Sequence, residues 1–319
     1  MYFGSVRFFK NLILLCVIIM IAVPSAFAIR GRLALSDARA EIQRLQSEAD
    51  RAPAQPEPPA HQPEEPQVQE SPPGQETDPA PAETHFSAEV LPYQSLYPDF
   101  YAPQPLDATV RDSGVVYLTF DDGPTSNTDR LLAILSEYDA KATFFVNGHT
   151  DETARERMRR IVAEGHTLGM HSFTHEYSII YSSVEAYLED MYQLFNLIVE
   201  ATGQAPTAFR FPGGSINGYN SGFYQELLAE MLRRGFVPYD WNLSAQDATS
   251  TPLSTDTIVD NVFSGASGKS RAFVLMHDGA SRGTTVQALP EILEGFRQMG
   301  YRFDAIQPDT APILFAYRD

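Results

Sequence analysis

Two carboxylates stand side by side at Asp121 and Asp122, and two imidazoles stand four residues apart at His171 and His175. Adjacent carboxylates repel unless a cation lies beside them or one takes a proton. The histidine spacing places the rings one helical turn apart, as in zinc-binding helices. Each feature alone is common: Asp-Asp-Gly-Pro also reads as an exposed turn, and such a histidine pair is often a surface coincidence. One Asp with two His, however, makes a ligand set with open positions. That suits a catalytic divalent metal better than a structural one, which four protein ligands would close.

The elements that must carry these groups show in the hydrophobic pattern. Short β-branched or apolar runs occur at 115–120, 142–146, 167–171, 208–211, 236–240, 272–276 and 301–305. Helix-period segments lie between them, the clearest being Val184, Tyr187, Leu188, Met191, Leu194, Phe195 and Ile198, spaced to fill one helix face. Gly165, Gly235 and Gly300 precede strands at the αL position of a helix end. Repeated strand–helix alternation predicts a parallel α/β fold. The span is short for an eight-stranded barrel, which needs about 250 residues. An open doubly wound sheet fits the same periodicity.

Mapped onto these runs, the reactive residues share one position. Asp121 and Asp122 follow the first run, and His171 and His175 end and follow the third. Arg210 ends the fourth, Asp240 and Trp241 the fifth, and His277 and Asp278 follow the sixth. All are carboxyl ends, which in a barrel converge on the face where such folds do chemistry. Successive strand side chains point to opposite faces, so Asp121 and Asp122 can converge only if the strand stops there; Gly123-Pro124 supplies the stop. Asp247 and Asp278 fall at the rim, without an assigned role.

The motifs TFDDGP at 119–124, HSFTH at 171–175, RFPGG at 210–214, DW at 240–241 and LMHD at 275–278 occur in that order. Together they resemble the five motifs of the polysaccharide deacetylases with a NodB-homology domain, carbohydrate esterase family 4, over residues 113–305. The resemblance implies a distorted (β/α)7 barrel and hydrolytic N-deacetylation of a polysaccharide, with N-acetylglucosamine residues of peptidoglycan foremost. Exopolysaccharide, chitooligosaccharide and acetylxylan are its alternative substrates. It implies a divalent metal on Asp122, His171 and His175, zinc first, with cobalt, nickel or iron(II) as alternatives. Asp121 would be the general base oriented by Arg210, and His277 the general acid held by Asp240. Trp241 and Leu275 would line the pocket for the acetyl methyl group. Gly213 departs from the pattern, because an aromatic residue often stands there: the backbone N–H survives as an oxyanion donor, but a wall of the sugar groove is lost. A glycan-binding protein without turnover would be expected to have lost a ligand, the base or the acid, and none is missing. A non-haem iron oxygenase could use the same ligand trio, but it has no use for a paired base and acid.

The rest of the chain reads as delivery. Arg7 and Lys10, the apolar run Leu12–Val23 and the end Ala26-Phe27-Ala28 have the layout of a secretory signal. The run also reaches the lower edge of a membrane span, so residues 1–28 are a cleaved signal or a retained anchor, with membrane contact confined to 12–28. Either places the catalytic unit outside the cytoplasm. Residues 29–51 read as a short helical stub. Residues 52–85, rich in Pro, Glu and Gln, read as a disordered linker able to reach on the order of 100 Å when extended. A lead-in over 86–112 and a tail over 306–319 flank the domain. Cys16 is the only cysteine, so no internal disulfide is possible. The net charge of -18 argues against nucleic acid as a partner.

Overall fold

The computed structural model describes residues 90–103 and 107–315. The signal or anchor segment, the stub and the linker lie outside the described residues. Among those described, no helix is long and apolar enough to cross a membrane.

The elements run β1 (Val115–Gly123), α1 (Ser126–Glu137), β2 (Ala142–Asn147), α2 (Glu152–Ala163), β3 (Thr167–Ser172), α3 (Tyr177–Ile180), α4 (Val184–Thr202) and β4 (Ala208–Phe209). They continue with α5 (Tyr224–Arg233), β5 (Val237–Pro238), β6 (Leu243–Ser244), α6 (Thr255–Phe263), β7 (Arg271–His277), α7 (Gly283–Gln298) and β8 (Arg302–Phe303). All strand pairs are parallel, and the sheet is ordered β5-β4-β3-β2-β1-β7-β6. β8 pairs with Val115 and Val116 at the start of β1, below the stretch from Leu118 onward that β2 occupies. The path ends at β5 and β6, leaving a half-barrel wrapped by helices. This is the distorted (β/α)7 type that the motifs imply.

Two details differ from the sequence pattern. The runs at 208–211, 236–240 and 301–305 form strands of only two residues, although the N–H groups of Arg210 and Tyr239 still donate to the carbonyls of Met170 and Phe209. β6, formed by Leu243 and Ser244 against Val274 and Leu275 of β7, is too short to show as periodicity.

The alternation of side chains along each strand divides the core in two. Val116, Leu118, Phe120, Phe144, Val146, Met170, Val274 and Met276 pack outward against the helices. Val115, Tyr117, Phe145, Ala208, Val237, Tyr239, Phe273 and Ile306 fill the barrel interior. The expected stripe of α4 is buried throughout. Ser183 caps that helix at Ala186 N–H, and Gly203 ends it at φ 72°.

The flanking segments belong to the same packed unit. In the lead-in, Phe100 is fully buried, and buried Arg234 donates to the carbonyls of Leu96, Tyr97 and Phe100. In the tail, Thr310 and Ile313 accept hydrogen bonds from the Tyr239 hydroxyl and the Asp240 N–H beside β5, and Ala311 accepts one from Arg271 of β7. The tail therefore lies along the open side of the barrel.

Candidate active site

The interior row of β1 runs Val115, Tyr117, Thr119, Asp121, so the strand that buries Tyr117 delivers Asp121 to the top of the barrel. There the Arg210 guanidinium, itself fully buried, donates from Nη1 to Asp121 Oδ1 at 2.8 Å and to Thr119 Oγ1 at 2.7 Å. Its Nε and Nη2 donate to the carbonyls of Tyr239 and Asp240 at 2.8 and 3.0 Å. Phe145 lies 4.4 Å from the guanidinium carbon. A buried arginine with these partners is held in one orientation, and it holds Asp121 in turn.

Asp122 would point outward if β1 stayed regular. It takes φ 71°, and the register with β2 shifts between Asp121 and Gly123. This left-handed residue, rather than the strand ending at Gly123-Pro124, turns the second carboxylate back toward the first. Asn147, at the end of β2, donates to Asp122 Oδ1 at 3.2 Å. Burial opposes the Asp122 charge, but His171, His175 and His277 hold its carboxyl below the usual carboxylate range.

His171 ends β3 on the interior row. Its Nδ1 lies 2.9 Å from the Arg210 carbonyl; a carbonyl only accepts, so Nδ1 carries the proton and Nε2 is the free lone pair. Burial keeps this imidazole below its ordinary pKa, against the pull of Asp121 and Asp122. His175 is not one helical turn further on, as its spacing implied. Residues 173–176 are non-helical and His175 takes φ 57°. The pair converges because a strand end and a turned loop bring it together. His175 Nε2 lies 3.3 Å from Asp122 Oδ1, and His171 Nε2 lies 3.8 Å from it. The three donor atoms all fall within 4.8 Å of one another. One carboxylate oxygen and two imidazole nitrogens with exposed space beyond them fit an open divalent-metal site.

The loop carrying His175 is fixed by Asp190, from the buried side of α4. Its carboxylate accepts from Ser172 Oγ at 2.7 Å, Phe173 N at 2.7 Å, and Thr174 N and Oγ1 at 2.8 and 2.7 Å. Ser172 Oγ then accepts the His175 N–H at 2.8 Å.

On the other side of Asp121, β7 delivers His277. Asp121 and His277 occupy the same rung of the β1–β7 ladder. The carboxylate holding His277 is not Asp240 but Asp247. His277 Nδ1 donates to Asp247 Oδ1 at 2.7 Å, and its backbone N–H donates to Oδ2 at 3.0 Å. Thr285 completes the arrangement, donating to Oδ2 at 2.7 Å. Burial alone would lower the His277 pKa, but Asp247, with Asp121 and Asp122 behind it, raises it above its ordinary value. Strand order explains the correction. Asp240 follows β5 at one edge of the sheet, whereas Asp247 follows β6, the direct neighbour of β7. Asp240 instead accepts from Ser215 N and Oγ and from Phe315 N, pinning the loop after β4 to the tail.

Leu275 faces the interior one layer beneath His277, 7% exposed. Trp241 stacks edge-on against Phe315 and lies 5.6 Å from the Arg210 guanidinium. Trp241 also lines a cavity of about 960 Å³ with Leu243, Arg271, Ile313 and Phe315. That cavity holds none of the reactive groups. These sit in a groove at the strand ends, where Asp122 and His175 keep 29% and 33% of their side chains exposed. Gly213 takes φ 79°, which favours glycine, and a Cβ there would meet the ring of Tyr177 at 3.2 Å. Asp278 ties the loop after β7 to the start of α1 by accepting from the hydroxyls of Thr128 and Thr125. Burial pushes its carboxyl up to about 7.

Asp190, Asn147 and the role of Asp247 escaped the sequence reading. Asp190 left one signal: an acid inside the apolar stripe of α4, which burial would make costly without partners. Asn147 ends β2 as the histidine ends β3, but an amide neither titrates nor stands out by spacing.

The chain matches the family model described as polysaccharide deacetylase over residues 109–231. It is 36% identical over 204 residues to a peptidoglycan-N-acetylglucosamine deacetylase of Bacillus cereus, covering 63% of this chain and 72% of the relative. A chitooligosaccharide deacetylase of Rhizobium leguminosarum bv. trifolii is 30% identical, with coverage of 62% and 92%. Among solved structures, the catalytic domain of a peptidoglycan N-acetylglucosamine deacetylase from Eubacterium rectale superposes with a TM-score of 0.61 at 34% identity. That match covers 65% of this chain and 95% of the other.

Proposed function

The chain belongs to the polysaccharide deacetylase family, and from that premise we propose that it hydrolyses the N-acetyl groups of N-acetylglucosamine residues in peptidoglycan, outside the cytoplasm. The single observation carrying the chemistry is that Asp121 and His277 share one rung of the β1–β7 ladder, with the ligand set beside Asp121. Two groups oriented by different partners thus stand side by side on the interior face at the strand ends, next to the ligand set.

Asp122, His171 and His175 would hold a divalent metal. Such an ion supplies Lewis-acid polarisation of the amide carbonyl and a more acidic water. Asp121, fixed by Arg210, is placed to accept the proton of the attacking water. His277 Nε2, with Nδ1 engaged by Asp247, is placed to deliver a proton to the departing amine nitrogen. Water thereby adds across the C–N bond, giving acetate and a free glucosamine-type amine. The Gly213 N–H has no hydrogen-bond partner among the described residues and can meet the developing oxyanion. Leu275 offers an apolar floor for the acetyl methyl group.

The peptidoglycan assignment rests on the Bacillus and Eubacterium relatives and on the Pro, Glu and Gln-rich sequence of residues 52–85, which reads as a long linker. The Rhizobium relative supports a second reading, a chitooligosaccharide substrate. Acetate release by the full chain from peptidoglycan, chitooligosaccharides and acetylxylan, with and without chelator, separates these. Release from xylan alone, or release indifferent to complete metal removal, would overturn the proposal.

A further inference from the structure

A row of rings leads out of the groove from the ligand set. Tyr177 meets His175 edge-on at 5.4 Å, and Tyr219 meets Tyr177 at 5.2 Å. The two tyrosines come from different segments: Tyr177 opens the short helix α3 that follows β3, and Tyr219 lies in the loop after β4. Tyr177 is half-buried and covers the space above Gly213. Tyr219 is 60% exposed, and Ile179 of α3 and Ile216 of the loop after β4 are exposed as well. Exposed aromatic and aliphatic side chains gathered at the mouth of a reactive groove mark a surface kept free for a ligand. The Tyr177 hydroxyl has no hydrogen-bond partner among the described residues.

A ligand matched to this row must offer apolar C–H faces to the rings and hydroxyls to the phenols. A pyranose does both, and the 5.2 Å between the Tyr177 and Tyr219 rings is close to the length of one sugar in a β-linked chain. Tyrosine suits the task because it presents a rigid, amphipathic face at small entropic cost.

We propose that Tyr177 and Tyr219 form the sugar-stacking wall of the groove, standing where Gly213 leaves the RFPGG loop without a side chain, and that Tyr219 binds the sugar beyond the one being deacetylated. This rests on the glycan reading above. It makes glycan length, rather than the reacting acetamide, the quantity that Tyr219 controls.

The test uses the full chain, metal-loaded, with N-acetylated chitobiose and chitotetraose as probes. Replacing exposed Tyr219 does not threaten the core. Tyr219→Ala is expected to raise KM for the tetramer about tenfold, and less for the dimer, with the effect on KM exceeding that on kcat. Tyr219→Phe keeps the ring and should bind the tetramer almost as wild type does. An unchanged tetramer KM in Tyr219→Ala, or an equal loss for both lengths, overturns the wall. If wild type releases no acetate from either probe, the functional reading fails. Calorimetric binding of the tetramer to wild type and Tyr219→Ala then still decides the wall: equal affinities refute it, and a loss of about tenfold supports it.

Discussion

Asp247 and His277 are joined twice, through the imidazole Nδ1 at 2.7 Å and the backbone N–H at 3.0 Å, so one carboxylate fixes both the ring and the strand end that carries it. The His277 pKa is raised, so the ring stays protonated to higher pH than an ordinary histidine. A general acid loses activity as pH rises through its pKa, so the alkaline limb of the kcat profile reports this pair. Asp247→Asn should move that limb to lower pH and reduce kcat. Asp240→Asn, which loosens the contact between Ser215 and Phe315, should leave the limb in place. An identical shift in both variants would refute the pairing as the cause.

His277→Ala removes the proposed proton donor outright. A loss of about 10²–10⁴ in kcat is expected, with KM changing far less. Steady-state acetate release measures both; a loss confined to KM would make His277 a binding group.

Asp121→Asn should abolish turnover while leaving binding of a divalent metal, tested with zinc, largely intact, because the proposed ligand set uses Asp122 instead. Metal content after dialysis and competition with a chromogenic chelator measure the second half. If the metal is lost with the activity, the roles of the two carboxylates are misassigned.

Asp190 accepts four hydrogen bonds from residues 172–174, between the two histidines. Asp190→Asn keeps the size but sets an NH₂ against donors. Zinc affinity should fall by about 10–100-fold, the usual effect of losing a group that orients metal ligands. Asp190→Glu should recover part of it. Unchanged affinity in Asp190→Asn would show that the loop holds itself.

His166 offers a test of stability away from the groove. Its Nδ1 accepts the Ala142 N–H at 3.1 Å, and burial, with Lys141 nearby, lowers its pKa from 6.5 to about 4. The folded pKa lies below the unfolded one, so the unfolded chain takes the proton first as pH falls. The contribution is whole above pH 6.5 and is lost as pH falls from there through about 4. Denaturant unfolding at neutral and mildly acid pH should show His166→Gln losing about 2 kcal/mol less than wild type on acidification. Equal losses would count against it.

Much of the site was legible because strand geometry is local. Alternation along β1 and β7 places Asp121, Leu275 and His277 on one face whatever the rest of the chain does, and the hydrophobic runs locate the strand ends. The backbone turn at Asp122 was not legible. A φ of 71° there carries no sequence mark beyond the tolerance of aspartate for that region.

By itself the sequence determined which groups would gather at the carboxyl ends of parallel strands: both carboxylates, His171 and His175, Arg210 and His277. Only the tertiary structure decided who holds whom. The partner of His277 depends on β6 lying beside β7, the histidine loop depends on a carboxylate from α4, and the ring above Gly213 comes from α3. Each is a contact between different elements of the fold. Periodicity reports the face a residue takes on its own element, while hydrogen-bond partners follow from which elements become neighbours.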